Sequence, residues 1–404
     1  MRKVWLFSAL LVLGLVASQV LGTSDATANP SSALVVRLAT MACLSFIMIH
    51  VGYEFEIDKT RMRSYAWDYV VAGTAAAFPW IFCCAYFVFV LTPSAQWWLA
   101  DTWKELLLAA RFSAPTSAGV LFSMLAAAGL SATWVFKKAR VLAIFDDLDT
   151  VLLMIPLKML MVGMRWQLGA IVVVMLGLLW IAWKWLHAIR MPVTWPFVVL
   201  YSLVITGVCE AIYVGSKVID DTVPVHLEVL LPAFVLGCVL ARPHGHDPHV
   251  DDAREGHQEG PEDPAEQRAS TWISALFMVL VGLSLPPLAS VAGEGQALPS
   301  WSTIALHVLA ITVISNLGKM FSLLCYKQEA SWRERLAVSI GMFPRGEVGA
   351  GVLVVSIGYG ITGLPLTVAM FSLALNLVMT GAFILVVKQL LAADDRAKAA
   401  REAL

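Results

Sequence analysis

Charge is scarce in this 404-residue chain: Asp, Glu, Lys and Arg supply 14% of it, against about a quarter in an ordinary soluble domain. Hydrophobic residues take 59%, and mean hydropathy is +0.76. A water-soluble fold has no interior large enough for that share, so part of the solvent is lipid. A net-charge excess is missing too. With 28 basic and 29 acidic residues, the chain has no overall attraction for nucleic acid. The low hydrophobicity of disordered chains is absent over most of the length. The six cysteines, Cys43, Cys83, Cys84, Cys209, Cys238 and Cys325, lie in apolar runs without metal-ligand spacing and read as small buried hydrophobes. The ten-residue alternating strands of a membrane barrel are also lacking.

What is present is a series of apolar runs of membrane-crossing length. Twelve can be read, at about 4–22, 33–53, 67–91, 105–127, 134–157, 168–187, 195–216, 225–241, 271–290, 302–325, 336–358 and 364–387. The chain is therefore expected to be an all-α polytopic membrane protein. The first run, after Met1-Arg2-Lys3, fits either a retained helix or a cleavable signal peptide. With the C-terminus placed inside, twenty basic residues fall on the cytoplasmic side, five outside (Lys104, Arg111, Lys158, Arg165, Lys217) and three within spans (Arg37, Lys319, Arg345). That bias orients the chain in a cell's inner (plasma) membrane. The expected plan is an N-terminal helix and linker over 1–32 and a first transmembrane part over 33–241. A disordered cytoplasmic loop over 242–270, a second transmembrane part over 271–388 and a short tail over 389–404 complete it. The loop's His244, His246, His249 and His257 could hold a divalent ion or sense pH, though a solvated linker is the simpler reading. With so short a tail, no regulatory nucleotide-binding domain is expected.

An ionisable group at membrane depth needs a reason. Asp146 and Asp147 lie about 12 residues into the fifth span, near mid-membrane, on surfaces about 100° apart. Asp149 falls roughly on the face of Asp146. Such carboxylates can hold a proton or a small cation in turn, which is the minimal chemistry of an antiporter. Two spans carry helix breakers near their middles. The fourth has Ser113-Ala114-Pro115-Thr116-Ser117, and the eleventh has Gly341-Met342-Phe343-Pro344-Arg345-Gly346-Glu347. Unwound backbone at this depth is tolerated only where it is buried in protein or lines a cavity. Segments 3-4-5 and 10-11-12 each place the broken helix centrally, the pattern of an inverted repeat with two broken, crossing helices. Arg345 and Glu347 share the second break and can pair with each other or with neighbours. Glu210 is a lone acid within the seventh span.

Taken together, GYEFEI (52–57), SAPTSAGVLFSML (113–125), ARVLAIFDDLDTVLL (139–153), LLPAFVLGCVLA (230–241), FMVLVGLSL (277–285) and GMFPRGEVGAGV (341–352) resemble the monovalent cation:proton antiporter superfamily, the bacterial sodium/proton exchanger fold, in its double-aspartate subgroup. The resemblance spans about residues 33–388. It implies exchange of Na⁺, Li⁺ or K⁺ for H⁺ by alternating access in the lipid bilayer, with no cofactor and no enzymatic activity. It also implies a homodimer, in which segments 3–5 and 10–12 move against a unit built from the other helices. By the same resemblance Asp147 and Asp146 bind cation and proton, and Thr116 and Ser117 face the ion from the break after Pro115. Arg345 and Glu347 support the site beside Pro344. One departure is visible: where the subgroup often carries a lysine, three residues before a glycine of the tenth segment, this chain has Ser315. Either Lys319, one turn on, replaces it, or Ser315 and Asn316 serve instead. Rival readings are a potassium/proton antiporter or potassium efflux system of the same fold and, from another class, an intramembrane aspartyl protease. The protease needs two aspartates on facing helices.

Overall fold

A computed structural model describes residues 2–22, 30–53, 62–163, 166–219, 225, 227, 229–241, 264–286, 288 and 299–402. In chain order the helices are α1 (Arg2–Gly22), α2 (Pro30–Tyr53), α3 (Met62–Tyr86), α4 (Ala100–Ala110), α5 (Ala118–Ala127), α6 (Trp134–Val162) and α7 (Trp166–Lys184). They continue with α8 (Trp195–Ile219), α9 (Leu230–Val239), α10 (Pro264–Leu283), α11 (Trp301–Lys319), α12 (Trp332–Gly341), α13 (Glu347–Gly358) and α14 (Leu364–Glu402). An isolated bridge between Ile189 and Leu240 is the β-type pairing among the described residues. Eight helical stretches are long and apolar enough to cross a membrane, and α9 and residues Val348–Ile357 add shorter apolar helices. Each of the twelve apolar runs contains a helix, so the chain is a multi-pass helical membrane protein.

One boundary differs from expectation. Residues 264–270, read as loop, already form the start of α10: Pro264 is suited to the first helical position, and Glu266 lies where the helix dipole favours an acid. Beyond the last apolar run the chain stays helical as far as Glu402. Its run AADDRAKAARE consists mostly of good helix formers. Lys398 ties it down, bonding Asp394 one turn back and Glu334 in the first turn of α12, each at 3.0 Å. Ser331 and Glu334 form a reciprocal capping box that fixes where α12 begins. His244, His246, His249 and His257 lie outside the described residues.

The chain divides into two compact units. The first comprises residues 1–36, 61–157 and 278–404, and it contains every segment expected to form the moving core, together with α1. Val4, Phe7 and Leu11 of α1 are buried. Ser18 Oγ donates to Leu285 O at 3.1 Å, and Gln19 Nε2 donates to Pro286 O at 3.2 Å. These ties build α1 into the unit. Near the starts of α3 and α6, Lys138 Nζ reaches Asp68 Oδ1 and Oδ2 at 3.1 and 3.3 Å and Glu329 at 3.1 Å. Tyr326 Oη donates to Asp68 Oδ1 at 2.7 Å, and its ring lies 4.3 Å beneath the Lys138 ammonium.

The second unit comprises residues 37–60 and 158–277. In it Glu210 is not a lone acid: it pairs with Arg37, whose guanidinium also lies 5.0 Å from the Tyr213 ring. The two residues stand 173 apart in the chain, so their proximity is a product of the fold. On α8, Leu200, Leu203, Val204 and Val208 are exposed, as on a helix bathed in lipid.

Candidate functional site: two broken helices on a buried carboxylate

The fourth and eleventh runs are each interrupted, and the interruptions meet. After α4 the chain makes a 3₁₀ turn over Arg111–Ser113, then runs without helix to Ser117, the N-cap of α5. Pro115 has no N–H to continue the ladder, and the Ser117 side chain accepts from Val120 N at 3.3 Å. After α12 the chain is unwound from Met342 until α13 opens at Glu347. Ser117 N donates to Pro344 O at 2.9 Å, and Thr116 Oγ1 donates to Met342 O at 3.0 Å. Each break thus supplies partners that the other has lost, as buried backbone requires. Gly346 is needed for this approach: a Cβ there would stand 2.8 Å from Ser117 Oγ.

Asp146 points at this crossing. Its Oδ2 accepts from Thr116 N at 2.7 Å and from Lys319 Nζ at 2.8 Å. Acid and lysine side chains are both 0% exposed. The second oxygen, Oδ1, has no hydrogen-bond partner among the described residues. A backbone N–H of the unwound segment just before α5 and an ammonium group together compensate a buried anion, by hydrogen bonding and through charge. Asp147, 5% exposed, follows on α6, turned about 100° around the helix.

Arg345 is fully buried and serves the crossing differently. Nε donates to Ser113 O at 2.9 Å and Nη2 to Ser315 O at 3.0 Å. Nη1 donates to Asn316 Oδ1 at 2.7 Å, Phe343 O at 3.1 Å and Asn376 Oδ1 at 3.3 Å. The planar fork of arginine can reach all of these at once, which the single nitrogen of a lysine cannot. Arg345 therefore pairs with neighbours: it ties both breaks to α11 and α14. The side chain of Glu347 lies outside the described residues. The tenth-segment alternatives are also resolved in position. Lys319 meets the acid, whereas Asn316 Oδ1 and the backbone carbonyl of Ser315 accept from Arg345 and the Ser315 hydroxyl donates to Thr312 O.

The family model described as "Sodium/hydrogen exchanger, transmembrane" matches residues 6–391. The chain belongs to the sodium/hydrogen exchanger family. It is a transporter rather than an enzyme, and at its coarsest its activity is exchange of a monovalent cation for protons across a membrane. No curated protein matches the sequence. Among solved structures it resembles the sodium proton antiporter MjNhaP1 from Methanocaldococcus jannaschii. The TM-score is 0.54 at 16% identity, over 93% of this chain and 92% of that one, which supports a common fold.

Sequence reasoning misplaced one residue of this exchanger. Arg111, read as an outer rim charge, is fully buried. The reason is the start of the fourth segment: α4 begins at Ala100, so Arg111 comes after three helical turns and not near a helix end at the surface. Its guanidinium lies 4.8 Å from the Trp80 ring, and Nη2 donates to Asp149 O at 3.1 Å. A basic residue four positions before Pro115 was the available signal. Asn376, a partner of Arg345 from α14, carried none.

Proposed function

We propose that this exchanger moves Na⁺ against H⁺ by alternating access, with the Asp146–Asp147 pair holding cation and protons competitively. The observation that carries the reading is the convergence of Thr116 N and Lys319 Nζ on one oxygen of a fully buried carboxylate, where two unwound segments cross. A carboxylate in that setting is costly to leave bare. Lys319 is a tethered cation beside it, and a dehydrated monovalent ion is the free equivalent. A cation and a proton both neutralise a carboxylate, so occupancy by one disfavours the other. Binding to one side at a time follows if the first unit carries the site between two arrangements. Na⁺ is placed ahead of K⁺ because the smaller ion gains more from carboxylate oxygens. A homodimer, an inner-membrane location and a cytoplasmic C-terminus complete the proposal, the last two resting on the distribution of basic residues.

The test is exchange in proteoliposomes, with Na⁺, Li⁺ and K⁺ added in turn and proton flux followed by a pH-sensitive dye. Wild-type protein should dissipate an imposed proton gradient on addition of Na⁺ or Li⁺, and Asp147→Asn should not. Cation-dependent proton flux unchanged in Asp147→Asn would sink the assignment. A response confined to K⁺ would move the protein to potassium exchange on the same fold.

A further inference from the structure

Two short helices meet at the crossing, and one long helix holds the far end of each. α5 leaves the first break at Ser117 and closes in a turn around Gly129, at φ +78°. Leu130 N donates to Leu125 O at 3.1 Å and Gly129 N to Ala126 O at 2.9 Å, a Schellman ending. Ala128 O is left to a side chain: it accepts from Lys388 Nζ of α14 at 2.9 Å. An ammonium group there also meets the negative end of the helix dipole. α12 runs from its Ser331 cap into the second break. Its start is bound to α14 as well, further along. Lys398 Nζ reaches Glu334 Oε1 at 3.0 Å, and Arg333 Nη1 donates to Ala393 O at 3.2 Å. Asp394, 5% exposed, accepts from the Ser331 hydroxyl.

About 20 helical residues cross a bilayer, and α14 has 39. Its surplus length carries Lys388, Asp394 and Lys398, the groups that grip the two short helices. Each of those helices is ten residues, about 15 Å long. A helix that short is a stiff lever, so a shift at its far end moves its near end. The near ends make the crossing: Ser117 N on Pro344 O, Thr116 Oγ1 on Met342 O, and Thr116 N on Asp146. We propose that Lys388 and Lys398 are positioning residues of the exchanger, through which α14 clamps α5 and α12 and holds the crossing in register on Asp146. Both act through the short helices and from outside the site. The clamp itself stands on these contacts; its effect on Na⁺ rests on the exchange reading above.

The experiment compares wild type, Lys388→Met, Lys388→Arg, Lys398→Met and Lys398→Arg as full-length protein. Hydrogen exchange of backbone amides reports the crossing, and Na⁺-dependent proton flux in vesicles reports its use. Methionine keeps an unbranched stem and removes the donor, whereas arginine restores it. Lys388→Met should speed exchange at 113–120 and 341–347 and raise the half-saturating Na⁺ concentration about tenfold, the worth of a hydrogen bond to a charged group. Lys398→Met breaks a half-exposed pair and should give about threefold. Both arginine variants should return toward wild type. A merely structural role predicts a lower unfolding midpoint with the crossing amides and the half-saturating concentration of the folded protein unchanged, and that result overturns the clamp. So does faster exchange confined to the end of α14 and the start of α12. Faster exchange at the crossing with unaltered Na⁺ dependence in a protein that exchanges overturns the positioning role. If Lys388→Met does not fold, Lys398→Met and its arginine counterpart decide the matter. A wild type without Na⁺-dependent flux overturns the exchange reading, and the crossing amides then judge the clamp alone.

Discussion

Lys138 and Asp68 form a buried pair in which both carboxylate oxygens are engaged, by the ammonium and by Tyr326. Lys319 and Asp146 form a second buried pair in the same unit, in which one carboxylate oxygen is left open. Sequence alone does not separate them, since each is a lysine and an aspartate in apolar surroundings. Their settings do. The first joins continuous helices near their starts and is closed by an aromatic ring. The second stands where backbone is unwound and the N–H of Thr116 is turned toward the carboxylate. A saturated pair fixes helices, and an unsaturated one can take a ligand.

The comparison can be broken from either side. Asp146→Asn should have the largest effect, reducing Na⁺-dependent proton flux per folded molecule to that of protein-free vesicles. Asp68→Asn should lower stability by about 3 kcal/mol, the lower end of the cost of breaking a buried pair. Its flux per folded molecule should stay near wild type. Thermal unfolding in detergent with flux normalised to folded protein measures both, and equal loss of flux in the two variants would erase the distinction.

The smallest effect belongs to Tyr326→Phe, which removes one hydrogen bond to a charged group, worth about 2 kcal/mol. It sharpens the comparison through pH. Burial, with Asp68 beside it, pushes the Tyr326 hydroxyl well above its ordinary range. In the unfolded chain tyrosine ionises near pH 10. Above that pH the unfolded state therefore loses a proton that the folded state keeps, and stability falls as pH rises. Below it the residue contributes no pH dependence. Unfolding midpoints from pH 8 to pH 11 should show an alkaline decline that is reduced in Tyr326→Phe. An identical decline in both proteins would mean that Tyr326 does not stay protonated in the fold.

Much of this was legible beforehand. Pro115 and Pro344 marked the breaks because proline cannot continue a helix ladder, and Asp146 stood out because lipid excludes charge. Lys319 was recognisable as a charge at depth, although only the fold turned it toward Asp146, 173 residues away. The pairings Lys138–Asp68 and Arg37–Glu210 were not legible, since composition carries no information about partners that far apart. Arg111 was misread because its helix begins five residues before the apolar run does. The start of α10 was misread because charged helix and charged loop share a composition, and for the same reason composition does not show the far end of α14. Lys398 fixes the latter end through a contact with Glu334 that sequence does not display.

The central claim is that cation and proton compete for the carboxylates at the crossing. The most direct measurement is proton release on Na⁺ addition to purified protein in weakly buffered solution. Wild type and Asp68→Asn should release protons in proportion to Na⁺ bound, and Asp147→Asn should release none. Sodium binding by the wild type without proton release would contradict the account.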